Sequence, residues 1–132
     1  MRVVFDTNIL VSAFIFPGGQ AERALGQALN GVVQMILSKP ILHELLGVLA
    51  RKFARDPEEL ARVAVFLSEL AEVVHPRQQV AVLQDEPDNR ILECAVTGHA
   101  DLIITGDRQM LALGEYAGIP IATLRAFLES TA

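Results

Sequence analysis

The sequence predicts an α/β fold in which a central parallel sheet of about five strands lies between two layers of helices. Two short apolar runs, Val3–Phe5 and Leu102–Ile104, lack the polar alternation of a half-exposed strand, so we expect both to be strands covered on both faces. Strand-like and helix-like segments alternate along the chain, and this order is typical of parallel sheets with right-handed crossovers. A chain of 132 residues suffices for one domain, which we place at residues 1–132.

Apolar periodicity and turn residues place the individual elements. The predicted strands are Val3–Phe5, Val32–Leu37, Val73–Val74, Asp101–Ile104 and Ile119–Ala122. The predicted helices cover residues 9–14, 20–29, 39–55, 57–72, 88–97, 108–113 and the segment from Thr123 onward. The segment Gly114–Gly118 is predicted to be a turn.

The charge balance restricts the ways in which the protein could bind nucleic acid. The chain has 11 basic and 16 acidic residues and a formal net charge of −5, which argues against a broad positive surface that holds nucleic acid. Aromatic residues make up 5% of the chain and tryptophan is absent, so extensive base stacking is not expected. Metal ions at an acidic site would reverse the sign of the local field and allow phosphates to bind there.

Hydropathy predicts buried strands and a subunit interface. The mean hydropathy is +0.37, and the apolar positions of the helix over residues 57–72 cover more than one narrow stripe. We therefore expect this helix to meet another subunit and the protein to be a homodimer. No apolar run approaches the roughly 18 residues of a membrane span, and no signal-peptide layout is present, so we expect a cytoplasmic protein without membrane contact.

The cysteine and two of the histidines give no sign of covalent chemistry. Cys94 is the only cysteine, which excludes an internal disulfide and a cysteine-based zinc cage. It lies in the apolar segment Ile91–Val96, so we expect it to pack in the core. His43 and His99 have no serine or cysteine partner at a strand-to-helix elbow, and we expect both to be surface or packing residues.

Four carboxylates occur where strands end or helices begin. Asp6 and Asp107 follow the two apolar strands, Glu44 lies in the second turn of a helix, and Asp88 starts another helix. Because the carboxyl ends of parallel strands meet at one edge of the sheet, we expect these side chains to lie close together. Like charges at such distances raise one another's pKa, so the group needs a divalent cation. Oxygen ligands without a cysteine or histidine cluster favour Mg²⁺ or Mn²⁺. The sequence leaves open whether one or two ions bind.

Each carboxylate also has a simpler structural explanation. Asp6, Asp88 and Asp107 could each cap the helix that follows, and Glu44 could be a solvated helix residue. Only their joint occurrence at compatible positions favours a metal site, where a bound ion would activate water for attack on a phosphodiester.

Four sequence blocks carry a resemblance to a known family. They are Val3–Ser12, Leu42–Leu46, Asp85–Ala95 and Ala100–Asp107. In this order, and over essentially the whole chain, they resemble PIN domains, and more closely the small bacterial PIN proteins that are toxin components of toxin–antitoxin pairs. The resemblance implies a PIN-like, Rossmann-related version of the predicted α/β fold.

The resemblance also implies a function, namely that of a Mg²⁺- or Mn²⁺-dependent endoribonuclease related to flap-type nucleases. The acidic residues of such a site would correspond here to Asp6, Glu44, Asp88 and Asp107. Asn8 and Thr105 would be polar residues that support these ligands, and Asp85 would be a rival or helper of Asp88. The implied partners are an RNA substrate and an antitoxin protein.

Helical spacing suggests where an RNA chain could continue beyond this site. Arg51 and Arg55 fall within about 20° of Glu44 on one face of the predicted helix. We expect them to follow the RNA backbone away from the metal ions. The alternative is that both are solvated arginines on an exposed face.

Two other functions are open on the sequence alone. A phosphohydrolase or receiver-like domain would use Asp6 covalently. The phosphohydrolase would need a second aspartate where Asn8 stands, and a receiver would need a late lysine, whereas the lysines are Lys39 and Lys52. The second alternative is a non-catalytic module that binds RNA or a protein partner through the same fold.

Overall fold

A computed structural model describes all 132 residues and has the predicted alternation of strands and helices. The strands are β1 (Arg2–Phe5), β2 (Gln34–Ser38), β3 (Glu72–Val74), β4 (Leu102–Ile104), β5 (Glu115–Tyr116) and β6 (Ile119–Ala122). The helices are α1 (Thr7–Ile15), α2 (Gln20–Leu29), α3 (Lys39–Phe53), α4 (Pro57–Leu70), α5 (Glu86–Thr97), α6 (Arg108–Leu113) and α7 (Leu124–Ser130). One sheet contains all six strands in the order β3-β2-β1-β4-β6-β5.

β1 lies inside the sheet because it is apolar on both faces. It pairs in parallel with β2 on one side and with β4 on the other. Successive side chains of a strand point to opposite faces, and Val3, Val4 and Phe5 are each at most 1% exposed, so both faces are covered. On one face of the sheet, Phe127 of α7 packs against Phe5 in an edge-to-face contact, with ring centroids 5.8 Å apart. The predicted α/β architecture with a buried parallel centre is confirmed.

The sheet has one more strand than the five expected. The segment Gly114–Gly118, predicted as a turn, contains β5, which pairs antiparallel with β6 at the edge of the sheet. Ala117 and Gly118 have positive φ angles of 51° and 80°, as in a two-residue hairpin turn of type I′. Such turns usually have asparagine, aspartate or glycine at the first position. Ala117 stands there instead, so the sequence gives no sign of β5.

Two helix ends differ from the predicted ones in ways that affect the site. α5 begins at Glu86 instead of Asp88, because Asp85 occupies the N-cap position and a proline fits the first turn. α3 ends at Phe53 instead of near Arg55, because Ala54 adopts the left-handed conformation with a φ of 51°. Arg55 therefore lies outside the helix that carries Glu44.

The cysteine and histidine predictions are confirmed. Cys94 is fully buried, and burial raises the pKa of its thiol to about 12, with a smaller opposing effect from the Ser38 hydroxyl. His43 and His99 are both exposed. None of the helices combines the length and the apolarity that crossing a bilayer requires.

Gly98 is a position where a single added methyl group should disturb the packing. A Cβ atom there would lie 2.5 Å from Ile36 Cγ2, and Ile36 is 1% exposed, so it has little room to move. We predict that Gly98→Ala lowers the free energy of unfolding by about 1–3 kcal/mol in urea denaturation.

Gly26→Ala is the matched control. Gly26 lies inside α2 and nothing approaches its Cβ position within 4 Å. Alanine should therefore raise stability by about 0.5–1 kcal/mol through its higher helix propensity. Equal effects of the two substitutions would contradict the packing assigned to Gly98.

Candidate active site

The carboxyl ends of β1 and β4 bring two predicted site residues together. Phe5 is paired with Ile104 in the parallel register, and the Asp6 N–H donates to the Ile104 carbonyl at 2.9 Å. Thr105, which follows Ile104, is completely buried. Two apolar strands that end at the same level therefore place Asp6 beside Thr105 at one edge of the sheet.

The Thr105 hydroxyl connects Asp6 to the segment that carries Asp107. It donates to Asp6 Oδ2 at 2.7 Å and accepts from the Asp107 N–H at 3.0 Å. The Asp107 carboxylate in turn accepts from the Met110 N–H at 2.9 Å and caps α6. Capping thus explains part of the role of Asp107, but it leaves this carboxylate at the same sheet edge as Asp6.

Capping of the helix that follows does not explain the burial of Asp6. It occupies the N-cap position of α1, but its side chain makes no capping hydrogen bond, and the residue is only 3% exposed. Burial raises the pKa of Asp6, the Thr105 hydroxyl and the Asn8 backbone N–H lower it in part, and the charge of Asp107 raises it further. Helix capping alone therefore does not account for Asp6.

Asp88 joins the two strand-end aspartates from the first turn of α5. It is buried, and Asp85, not Asp88, occupies the N-cap position. Burial raises the pKa of Asp88 to about 7, with further contributions from the negative charges of Asp6, Asp107 and Asp85. Three aspartates from three different elements are thus close enough to interact electrostatically, and at neutral pH Asp88 is only partly ionised.

Glu44 lies in a different cavity. This cavity has a volume of about 210 Å³, and its other lining residues are Thr7, Pro40, Ile41, Glu86, Pro87 and Arg90. Thr7 follows Asp6 and Pro87 precedes Asp88 in the chain, so the cavity adjoins the aspartates. The charge of Glu44 is not among those that raise the pKa of Asp6 or Asp88. The structure therefore brings three of the four predicted carboxylates together and leaves Glu44 beside them.

The donor set suits a hard cation but does not form a closed cage. The charged groups are all carboxylates, and no three aspartate, glutamate, histidine or cysteine side chains converge into a group that could hold a metal ion. Mg²⁺ usually keeps several waters and takes only one or two protein carboxylates. The chemistry of these oxygen donors therefore suits Mg²⁺ or Mn²⁺ better than zinc, which needs a more complete set of protein ligands.

A pocket of about 540 Å³ opens beside Asp6 and Asp107. Its other lining residues are Asn8, Ile9, Ser12, Gly106 and Arg108. Ser12 and Arg108 are not among the predicted site residues. Ser12 lies one helical turn after Asn8, and Arg108 directly follows Asp107, so helical spacing and adjacency were the signals that could have identified them.

The two arginines predicted to follow RNA have different surroundings. Arg51 is exposed, and its Nη1 lies 2.7 Å from the position that a Cβ atom would take at Gly47, one turn toward Glu44. Arg55 lies beyond the end of α3 and forms an ion pair with Glu59 at 3.1 Å. The predicted shared helical face of Arg55 and Glu44 is therefore wrong, because the helix ends too early. RNA contact by Arg51 and by Arg55 stays a prediction.

The raised pKa of Asp88 predicts how stability depends on pH when no divalent ion is present. Between the ordinary value of 3.8 and about 7 the folded protein binds more protons than the unfolded chain, so the contribution of Asp88 to stability falls as the pH rises through this window. We predict that Asp88→Asn is more stable than the wild type at pH 8 and loses much of this decline. The measurement is thermal unfolding in EDTA from pH 5 to 8.

Glu115→Gln is the control for the pH series. Glu115 lies on β5, is exposed and forms no ion pair, so this variant should keep the decline of the wild type. If the melting temperatures of the wild type and Asp88→Asn change in parallel with pH, the pKa of Asp88 is not raised by burial and by the neighbouring aspartates.

A comparison with protein families and curated proteins places the chain among known sequences. A family profile described as PIN domain matches residues 2–109. An uncharacterized protein of Methanocaldococcus jannaschii is 28% identical over 117 residues, which cover 86% of this chain and 75% of that protein.

Two solved structures share the fold. VapBC2 from Rickettsia felis, solved bound to a DNA fragment from its promoter, gives a TM-score of 0.64 at 16% identity and covers 93% of this chain and 98% of that chain. VapBC-1 from nontypeable Haemophilus influenzae gives a TM-score of 0.61 at 18% identity, with 85% and 91% covered. At these identities the likeness concerns the fold alone. The family match, however, spans most of the chain, and the protein therefore belongs to the PIN domain family.

Proposed function

We propose that this protein is a metal-dependent endoribonuclease that hydrolyses RNA phosphodiester bonds. The observation that supports it most is the concentration of three aspartate charges, from Asp6, Asp88 and Asp107, at the carboxyl edge of the sheet. Carboxylates whose pKa is raised by burial and by one another occur preferentially at functional sites. PIN domains are generally nucleases, and membership of that family supports the same activity.

The three aspartates would hold Mg²⁺ or Mn²⁺, and Glu44 would contribute from the adjoining cavity. When bound, the ion would supply a water activated for attack on phosphorus and would stabilise the charge that develops there. Asp88 would be one of the carboxylates that hold this ion, since a neighbouring cation would favour its ionised form at neutral pH. Asp85 stands close to Asp88 and adds negative charge on that side of the site.

Two polar residues would keep the site in a productive geometry. Thr105 holds the Asp6 carboxylate in one orientation through the 2.7 Å hydrogen bond, so that no rearrangement is needed when a cation arrives. Asn8 lies at the mouth of the pocket beside Asp6 and Asp107, where its amide can contact an approaching phosphodiester.

We further propose that the enzyme is the toxin component of a toxin–antitoxin pair and acts in the cytoplasm. The fold likeness to VapBC2 and VapBC-1 supports this role. The partner that the role requires is an antitoxin encoded next to the toxin, which inhibits RNA cleavage when the two proteins form a complex.

Self-association through α4 is the proposed oligomeric state. Val65 and Phe66 on this helix are 57% and 36% exposed, and pairing of two copies along α4 would remove both from water. We predict that the wild type is a dimer in light scattering and that Val65→Lys is a monomer. Val32→Lys is the control, because Val32 is similarly exposed (51%) but lies outside α4. A monomeric wild type, or a Val65→Lys dimer, would exclude this interface.

The central test is cleavage of single-stranded and structured RNA with Mg²⁺, Mn²⁺ or EDTA. We predict metal-dependent cleavage that EDTA abolishes and that Asp6→Asn slows by roughly a hundred- to thousandfold, because several kcal/mol of transition-state stabilisation depend on the cation. Mg²⁺ or Mn²⁺ should also raise the melting temperature of the wild type, and Asp6→Asn should lose most of this rise. Glu115→Gln should behave like the wild type in both measurements.

RNA assays and a phosphorylation assay separate the alternative functions. RNA binding without cleavage in any metal would replace the nuclease with a non-catalytic binding module. Covalent phosphorylation of Asp6 by a phosphoryl donor, detected by mass spectrometry, would favour the phosphohydrolase or receiver-like reaction.

A further inference from the structure

The pocket beside Asp6 and Asp107 is lined by these acidic residues and by groups that can donate hydrogen bonds to an anion. The donors are the Asn8 amide and the Ser12 hydroxyl, both on α1, and the Arg108 guanidinium at the start of α6. Asn8 and Ser12 are one helical turn apart, so their side chains project from the same face of α1 about 6 Å apart along its axis.

These donors are not used by the fold. The Thr105 hydroxyl and one oxygen of Asp107 have partners inside the protein, whereas the side chains of Asn8, Ser12 and Arg108 make no hydrogen bond to the rest of the chain. Asn8, Ser12 and Arg108 all line the open pocket. Gly106, between Thr105 and Asp107, adds room to this pocket, because a Cβ atom there would meet nothing within 4 Å.

Unlike most arginines of the chain, Arg108 forms no ion pair with a carboxylate. Arg2, Arg55, Arg62, Arg90 and Arg125 form ion pairs with glutamates. Arg108 is exposed and forms no such pair, although Asp6 and Asp107 line the same pocket. An unpaired guanidinium next to an acidic site is suited to an anion that bridges the two, since it can bind a phosphate through parallel hydrogen bonds.

We propose that this pocket binds a phosphodiester next to the bond that is cut, with Arg108 as the anchoring cation and Asn8 and Ser12 as hydrogen-bond donors. This inference rests on the proposed ribonuclease function and adds the path of the RNA over the protein. The RNA leaves the acidic site between α1 and the start of α6, through a pocket that shares no lining residue with the cavity of Glu44. Arg108 acts by positioning the substrate and takes no part in the chemistry.

The test separates RNA binding from cleavage. Binding of a fluorescein-labelled single-stranded RNA is measured by fluorescence anisotropy in Ca²⁺, a cation that also takes oxygen ligands, and the RNA is checked for integrity afterwards. Arg108→Ala should weaken binding about tenfold at low salt. The slope of log Kd against log salt should fall by about 0.7, which corresponds to one phosphate contact on a single strand.

Three variants make the result specific. Arg108→Lys should keep the salt slope of the wild type but recover only part of the affinity, because lysine supplies the charge without the parallel hydrogen bonds of a guanidinium. Ser12→Ala should have a smaller effect that leaves the salt slope unchanged, because a neutral donor releases no counterion. Arg125→Ala removes the same charge from an exposed position on α7 that pairs with Glu129, and it should change neither affinity nor slope. In cleavage assays Arg108→Ala should raise KM more than it lowers kcat.

The outcomes distinguish failure of this inference from failure of the proposed function. If the wild type cleaves RNA but Arg108→Ala and Arg125→Ala share the same affinity and salt slope, Arg108 is a solvated residue and the subsite is wrong. If RNA binds with the predicted dependence on Arg108 but no metal supports cleavage, the subsite stands and the nuclease activity is wrong. If RNA does not bind in any cation, both are wrong.

Discussion

The hydrogen bond from Thr105 to Asp6 is the contact on which the rest of the site depends. A carboxylate that is 3% exposed would be strongly unfavourable at the end of an apolar strand without a donor of this kind. The same hydroxyl accepts from the Asp107 N–H, so one buried side chain fixes the relative positions of two carboxylates. Because Thr105 follows β4 and Asp6 follows β1, the sheet itself sets this geometry, which makes the site more rigid than one built on loops.

The central part of the fold could be predicted because its sequence permits few alternatives. An apolar run such as Val3–Phe5 has no face that tolerates water, so it must lie inside a covered parallel sheet. The edge of the sheet was less accessible to prediction. β5 depends on positive φ angles at Ala117 and Gly118, and the first of these residues gives no sign of them. The start of α5 was ambiguous for a similar reason, since both Asp85 and Asp88 are suitable capping residues.

The same distinction applies to the candidate site. Asp6 and Asp107 could be predicted as neighbours because parallel strands that pair side by side must end together. Glu44 could not be placed as surely, because a residue in the second turn of α3 lies about 5 Å or more from the strand end, and the tilt of the helix decides where it points. The shared helical face predicted for Arg55 and Glu44 was wrong because Ala54, which is not a glycine, adopts the left-handed conformation and ends the helix.

The surroundings of Asp107 suggest how an acidic protein could present the proposed local site for a polyanion. Its carboxylate caps α6, so the negative charge and the first residue of that helix, Arg108, are held at a fixed separation. A net charge of −5 would repel RNA at long range, but salt screens charges beyond about 10 Å, and binding is then decided by the nearest groups. A cation among the aspartates would neutralise the phosphate that reacts, and Arg108 would neutralise its neighbour. Negative aspartates next to a positive Arg108 at this edge of the sheet would therefore suit a ribonuclease that contacts RNA mainly at the phosphates around the cleaved bond.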